Sequence, residues 1–171
     1  SVDVAILTYR PRKLLCDIIE RLNSQTVKPS KLILMNTEKE YYEELCRSDE
    51  RLNKYDNIEV HHLKKGDFDH GGTRKDAAGY SEAEYLIYMT QDALPRDRHL
   101  IERLIFSFED PEVSAAYGRQ LPSRKSSPRE RFARSFNYPD ERAVKSKEDL
   151  SRLGIKTYFC SDVCAMWRRE V

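Results

Sequence analysis

At 171 residues the chain is long enough for one domain with a substantial core. Thirty Lys and Arg against 29 Asp and Glu leave a formal charge of +1, so no global basic field marks a nucleic-acid binder. The mean hydropathy is −0.75, and no apolar run nears the ~20 residues that a membrane-spanning helix needs.

Residues 2–7 are short and mostly apolar and read as a first strand, which leaves no room for a signal peptide. Thr8, Tyr9, Arg10, Pro11 and Arg12 follow as a βα loop. Leu14, Leu15, Ile18, Ile19 and Leu22 then share one helical face, closed by Asn23, Ser24 and Pro29. Residues 31–35 form a second strand that delivers Asn36, Thr37 and Glu38 to the same sheet edge as Thr8 and Tyr9. A charged helix over 38–54 has a weaker face (Tyr41, Tyr42, Leu45, Leu52), and residues 57–63 alternate as a third strand. This βαβαβ order predicts an α/β fold with a mostly parallel sheet, flanked by helices and joined by right-handed crossovers.

The central stretch is 66–97. A polar loop ending in His70-Gly71-Gly72 leads into a short helix over 73–81, where the glycines permit a turn and a helix start. Arg74 and Lys75 bring positive charge to that helix. Residues 85–89 suit a buried strand through their aromatic and branched content. The strand stops at Thr90-Gln91-Asp92, and Pro95 opposes its continuation. Asp92 is thus a lone carboxylate past the C-terminal end of a buried strand, the edge where open α/β sheets bind ligands. One or two carboxylates there suffice to hold Mg²⁺ or Mn²⁺ when substrate phosphates complete the shell. The competing reading of an Asp at such a place is a helix cap, a role that Asp97 already fits.

Neither GxGxxG nor GxxxxGK[ST] is present, so dehydrogenases of the Rossmann type and P-loop enzymes are poor fits. Leu100, Ile101, Leu104, Ile105 and Phe108 form a further core-facing helical stripe, and 113–117 a strand. From Arg119 to Arg134 six basic residues meet one acid, and 119–140 is expected to be a basic, mobile loop, solvated or acting as a flap over an anionic substrate. Arg119 and Gln120 are placed at the acceptor side or in that flap. Aromatic interleaving is too thin for nucleic acid. Residues 147–154 read as a short helix, and 155–159 and 161–167 as extended runs. Cys16 and Cys46 read as packed thiols, and Cys160 with Cys164 lacks the second pair a closed zinc site needs. Reduced thiols suit a cytosolic protein. No capping or turn chemistry precedes residue 171, and a single domain incomplete at its C-terminus is expected.

Six segments carry a resemblance: Ala5-Ile6-Leu7-Thr8-Tyr9-Arg10-Pro11, Phe68-Asp69-His70-Gly71-Gly72-Thr73-Arg74, Tyr88-Met89-Thr90-Gln91-Asp92-Ala93, Tyr117-Gly118-Arg119-Gln120-Leu121-Pro122, Phe136-Asn137-Tyr138-Pro139 and Leu153-Gly154-Ile155-Lys156-Thr157. In this order the chain resembles the family 2 glycosyltransferases of GT-A (Rossmann-like) fold, and among them the bacterial rhamnosyltransferase-like branch. The first and third segments are generic to the family; the second and fourth are more specific to the branch.

The resemblance implies a nucleotide-diphosphate sugar donor, dTDP-rhamnose for this branch, over the C-terminal sheet edge. It implies Thr8, Tyr9 and Arg10 on the nucleotide side, with Asn36 and Glu38 near base or ribose. Arg74, Gln91 and Asp92 join them in the donor site, with Asp92 as metal ligand. Thr90 stands where the family's first DxD aspartate does, and Lys75 where relatives often carry Asn. Transfer with inversion to a saccharide or lipid-linked saccharide is implied, on the cytoplasmic side of the membrane and with a peripheral association there. The catalytic base is expected beyond Val171, so the chain alone should bind nucleotide and turn over poorly. Two other readings remain: a sugar-phosphate nucleotidyltransferase, which wants a glycine-rich loop that 8–12 lacks, and a non-catalytic domain binding glycan or a partner.

Overall fold

The computed structural model describes residues 1–123 and 125–170; Arg124, counted in the basic run above, and Val171 lie outside the described residues. Six strands form one sheet in the order β3-β2-β1-β4-β6-β5. They are β1 (Val2–Tyr9), β2 (Lys31–Thr37), β3 (Ile58–Leu63), β4 (Tyr85–Thr90), β5 (Ala115–Tyr117) and β6 (Cys164–Arg168). β3, β2, β1 and β4 run parallel, while β6 is antiparallel to both β4 and β5. The helices are α1 (Lys13–Asn23), α2 (Lys39–Ser48), α3 (His70–Gly79), α4 (Leu100–Phe106), α5 (Pro128–Asn137) and α6 (Leu150–Leu153). The expected α/β architecture with a mostly parallel sheet is what the chain adopts.

The period-two alternation of the strands sorts the core into two layers. Val4, Ile6, Leu32, Leu34, Ile87 and Met89 face one side, where Leu15, Ile18, Ile19 and Leu22 of α1 and Ile101 and Leu104 of α4 cover them. Ala5, Ile33, Met35 and Leu86 face the other side and meet Ala77 of α3. Ala5 of β1 and Ala77 of α3 are the small members of this second layer, and they let α3 lie close over the strands. Each fully buried aliphatic side chain adds about 1.5–3 kcal/mol relative to exposure.

Several sequence expectations need correction. The helix expected over 38–54 breaks at Asp49 into α2 and a 3₁₀ turn Glu50–Lys54, because the Asp49 carboxylate accepts from Arg51 N at 3.2 Å and starts a new turn. His70, Gly71 and Gly72 lie inside the first turn of α3 rather than in a preceding loop; Asp69 caps the helix, accepting from Gly72 N at 2.6 Å. A Cβ on Gly72 would sit 3.1 Å from that same carboxylate oxygen, so the missing side chain lets the cap close. β2 runs on through Asn36 and Thr37, which are strand residues rather than residues past its end. Half of the expected 119–140 loop is α5, started by Ser127 and Pro128. Residues 155–159 are not a strand: Gly154–Tyr158 is a 3₁₀ turn, entered at Gly154 with φ 57°. That left-handed step reverses the chain before an extended segment can form.

Cys16 and Cys164 are buried, which pushes their thiols up to about 11 and about 12; all four cysteines are free. Among the described residues no helix is long and apolar enough to cross a membrane.

Candidate functional site at the carboxyl edge of the sheet

The parallel strands β1, β2, β3 and β4 end at one edge, and their last residues are joined by polar side chains rather than by more ladder. Asn36, fully buried at the end of β2, is the centre of this arrangement. Its Oδ1 accepts from Thr8 Oγ1 at 3.0 Å, and its Nδ2 reaches Glu38 O at 3.1 Å and His62 Nδ1 at 3.1 Å. One side chain thereby ties the ends of three strands together. Partial desolvation of the His62 ring, with the Lys39 charge nearby, holds its pKa below the ordinary imidazole value. The neutral form with its proton on Nε2 leaves Nδ1 free to accept from Asn36.

On the other side of β1, β4 turns away after Thr90, and the Gln91 side chain replaces the missing ladder. Its Oε1 accepts from Tyr9 N at 3.1 Å while its Nε2 donates to Tyr9 O at 2.9 Å. The next residue, Asp92, is exposed and has no hydrogen-bond or ion-pair partner among the described residues. Thr90 Oγ1, two residues earlier, is buried and unpartnered. A lone exposed carboxylate at this edge fits a divalent cation of the Mg²⁺ or Mn²⁺ kind, which takes few protein ligands when phosphates provide the rest. Among the described residues no group of three or more His, Cys, Asp or Glu forms an all-protein metal site.

Among the described residues two non-glycines carry positive φ, Arg10 at 49° and Glu38 at 65°, one after each of β1 and β2. Such backbone costs on the order of 1–3 kcal/mol and persists where its surroundings enforce it. Arg10 is held between the Tyr9 and Tyr41 rings, with its guanidinium carbon 5.2 and 5.0 Å from their centroids, and donates to Tyr41 Oη at 3.0 Å. Glu38 accepts from Lys65 N at 2.5 Å, and Lys65 Nζ lies 5.8 Å from the Tyr9 ring centroid. The result is a rim of two aromatic rings and two cations over the ends of β1 and β2. Such a rim can stack a flat heterocycle and neutralise an anion.

Arg74, in the first turns of α3, reaches the same edge. Its guanidinium lies over the Tyr88 ring and pairs with Asp162 at 3.2 Å. Asp162 stands just before β6, next to Val163, whose carbonyl accepts from Thr90 N at 3.1 Å. Lys75, the neighbour of Arg74, is exposed. Sequence reading missed Tyr41, His62, Lys65 and Asp162 as members of this edge. Only the strand ends signalled them, since each lies a few residues from one.

Arg119 and Gln120 follow β5 and are not free. Arg119 pairs with Asp140. Gln120 Nε2 donates to Tyr138 Oη at 2.6 Å and to Ser161 Oγ at 3.2 Å, and its Oε1 accepts from Arg134. This fastens α5 to the segment that leads into β6.

A family model described as glycosyl transferase family 2 matches residues 3–171. The chain is 36% identical over 172 residues to the O-antigen chain rhamnosyltransferase RfbN of Salmonella typhimurium, covering 100% of this chain and 53% of that protein. It is 37% identical over 152 residues to the O-antigen chain rhamnosyltransferase WbaN of Salmonella anatum, covering 86% and 45%. Among solved structures it resembles S. aureus TarS 1-349 with a TM-score of 0.66 at 16% identity, over 99% of this chain and 47% of that one, a likeness of fold. The chain spans about half the length of the curated relatives it matches.

Proposed function

The chain belongs to glycosyl transferase family 2, and from that premise we propose that it forms the donor side of a rhamnosyltransferase using dTDP-rhamnose. The observation that carries this reading is the convergence of Thr8, Tyr9, Arg10, Asn36, Glu38, Gln91 and Asp92 on one sheet edge, with the Asp92 carboxylate unpartnered. Identity of more than a third with two O-antigen rhamnosyltransferases supports the sugar.

In this reading the Tyr9–Tyr41 rim takes the nucleotide base, and Arg10 and Lys65 balance its diphosphate. Asn36 and Gln91 hold the strand ends in register beneath it. Arg74 adds a further cation. Asp92 is the protein ligand for Mg²⁺ or Mn²⁺, which when bound supplies positive charge to the leaving nucleoside diphosphate. The acceptor is a saccharide, lipid-linked or free, whose hydroxyl attacks the anomeric carbon from the opposite face, so configuration inverts. The Arg119–Gln120 segment lies on the acceptor side, where Gln120 positions α5. No described carboxylate is assigned as the base that takes the acceptor's proton. The setting is cytoplasmic, where activated sugars are met.

Thermal melting with dTDP, UDP and GDP, each with and without Mn²⁺, tests this, because a ligand bound only by the native state raises Tm by mass action. A Mn²⁺-dependent rise with dTDP is expected. A preference for UDP or GDP moves the donor, and no rise with any nucleotide overturns the donor-site reading.

A further inference from the structure

We propose that the outward face of α5, together with the 3₁₀ turn Gly154–Tyr158 beside it, docks on an anionic phospholipid surface. A helix of a soluble domain turns its apolar stripe inward and its polar face to water. α5 does the reverse. None of its residues is buried, and Phe132 and Phe136 are 71% and 58% exposed, their rings stacked at 6.2 Å and 19°. Its inward side is polar: Glu130 pairs with Arg134 at 3.0 Å, and Arg134 also donates to Gln120.

The apolar patch does not end with the helix. Lys156 Nζ sits 3.4 Å from the Phe136 ring centroid, which brings the turn against α5, and the residues flanking it there include Ile155 at 87% and Tyr158 at 68% exposure. Phe132 and Phe136 on α5, and Ile155 and Tyr158 on the adjoining turn, are all exposed.

The charges around them choose the occupant. Arg129 falls on the face of Phe132 and Phe136, at i, i+3 and i+7, and Lys156 lies over the Phe136 ring. The one acid of the helix, Glu130, is already paired on the other side. Outward aromatics set among cations are the composition of an interfacial helix on anionic lipid. A second copy of the chain fits less well, because a two-fold contact sets the patch against itself and brings Arg129 and Lys156 toward their own images. At ten residues α5 is about 15 Å long, too short for apolar insertion alone to hold it, so the charge is needed as a second signal. None of this rests on the glycosyltransferase reading.

Cosedimentation of the 171-residue chain with vesicles of phosphatidylcholine alone, or mixed with phosphatidylglycerol, tests the proposal. Binding to the mixed vesicles, weakened by salt, and little binding to the neutral ones is expected. Arg129→Gln with Lys156→Gln should lower the affinity by roughly fivefold for each cation. Phe132→Ser with Phe136→Ser should lower it more than tenfold, whereas the matching Leu pair should retain most of it. All six substitutions are at exposed positions, and unchanged melting confirms folding. Undiminished binding by the Ser pair overturns the proposal. So does absence of vesicle binding, whether or not sedimentation shows a dimer that the Ser pair dissociates.

Discussion

The Gln91 side chain satisfies both backbone polar groups of Tyr9, accepting from its N–H at 3.1 Å and donating to its carbonyl at 2.9 Å. β4 leaves the sheet at Thr90, and this amide continues its pairing with β1 for one more residue. Gln91→Glu removes the donor and sets a carboxylate against the Tyr9 carbonyl. It should cost about 1–3 kcal/mol in urea unfolding and weaken nucleotide binding at the same edge. Gln91→Met, of similar shape, should lose stability without the added repulsion.

Asn36→Ala should be costlier for stability than any other substitution along this edge. The side chain is fully buried and serves Thr8, Glu38 and His62 at once. Its removal leaves the Thr8 hydroxyl without its acceptor and opens a small void beneath the positive-φ turns. A loss of about 2–3 kcal/mol, read from chemical denaturation, is expected, together with loss of any nucleotide-induced rise in Tm.

Much of this was legible in the sequence for a simple reason. Strands β1, β2 and β4 are buried on both faces, so their apolar runs were unmistakable, and the residue after each run was bound to fall on one edge. Asn36, Gln91 and Asp92 fall at those run ends. What the sequence hid were consequences of backbone conformation and of distant pairing. Positive φ at Arg10 and Glu38 has no local sign, because neither position is glycine. Asp49 breaks the second helix by capping a turn that its own periodicity would have continued. Residues 155–159 have strand-like composition, yet Gly154 reverses the chain before them, and Ile155, Lys156 and Tyr158 lie exposed in the 3₁₀ turn Gly154–Tyr158. α5 was masked by its inverted polarity, which reads as loop until the contacts of Arg134 are known.

Arg51 joins Asp49 at 2.7 Å, Asp17 at 2.6 Å and Glu20 at 3.1 Å, clamping the turn after α2 to α1. The Arg51 guanidinium holds the Asp49 carboxyl well below the usual carboxylate range. A depressed folded-state pKa means that the unfolded chain binds the proton more readily, so the stabilisation is complete above the unfolded value near 3.9 and is lost as pH falls below it. Asp49→Asn should therefore be less stable than the parent at pH 7, and the gap should narrow steadily below about pH 4. A gap independent of pH between 7 and 3 would show that the Asp49 charge contributes nothing to stability.

Asp92 and Arg74 separate binding from folding. Asp92 has no partner among the described residues, so Asp92→Asn should leave the stability of the free protein unchanged within about 0.5 kcal/mol while abolishing the Mn²⁺-dependent part of any nucleotide effect. Arg74 is held by Asp162, whose side chain is 74% exposed. An exposed pair of this kind is worth about 0–1 kcal/mol, so a diphosphate competing for Arg74 meets little resistance. Calorimetric titration should show Arg74→Ala weakening dTDP binding by tenfold or more, while Asp162→Asn, which frees the guanidinium, strengthens it by no more than about fivefold. If instead Asp162→Asn weakens binding as much as Arg74→Ala does, the carboxylate is orienting Arg74 toward the ligand rather than competing for it.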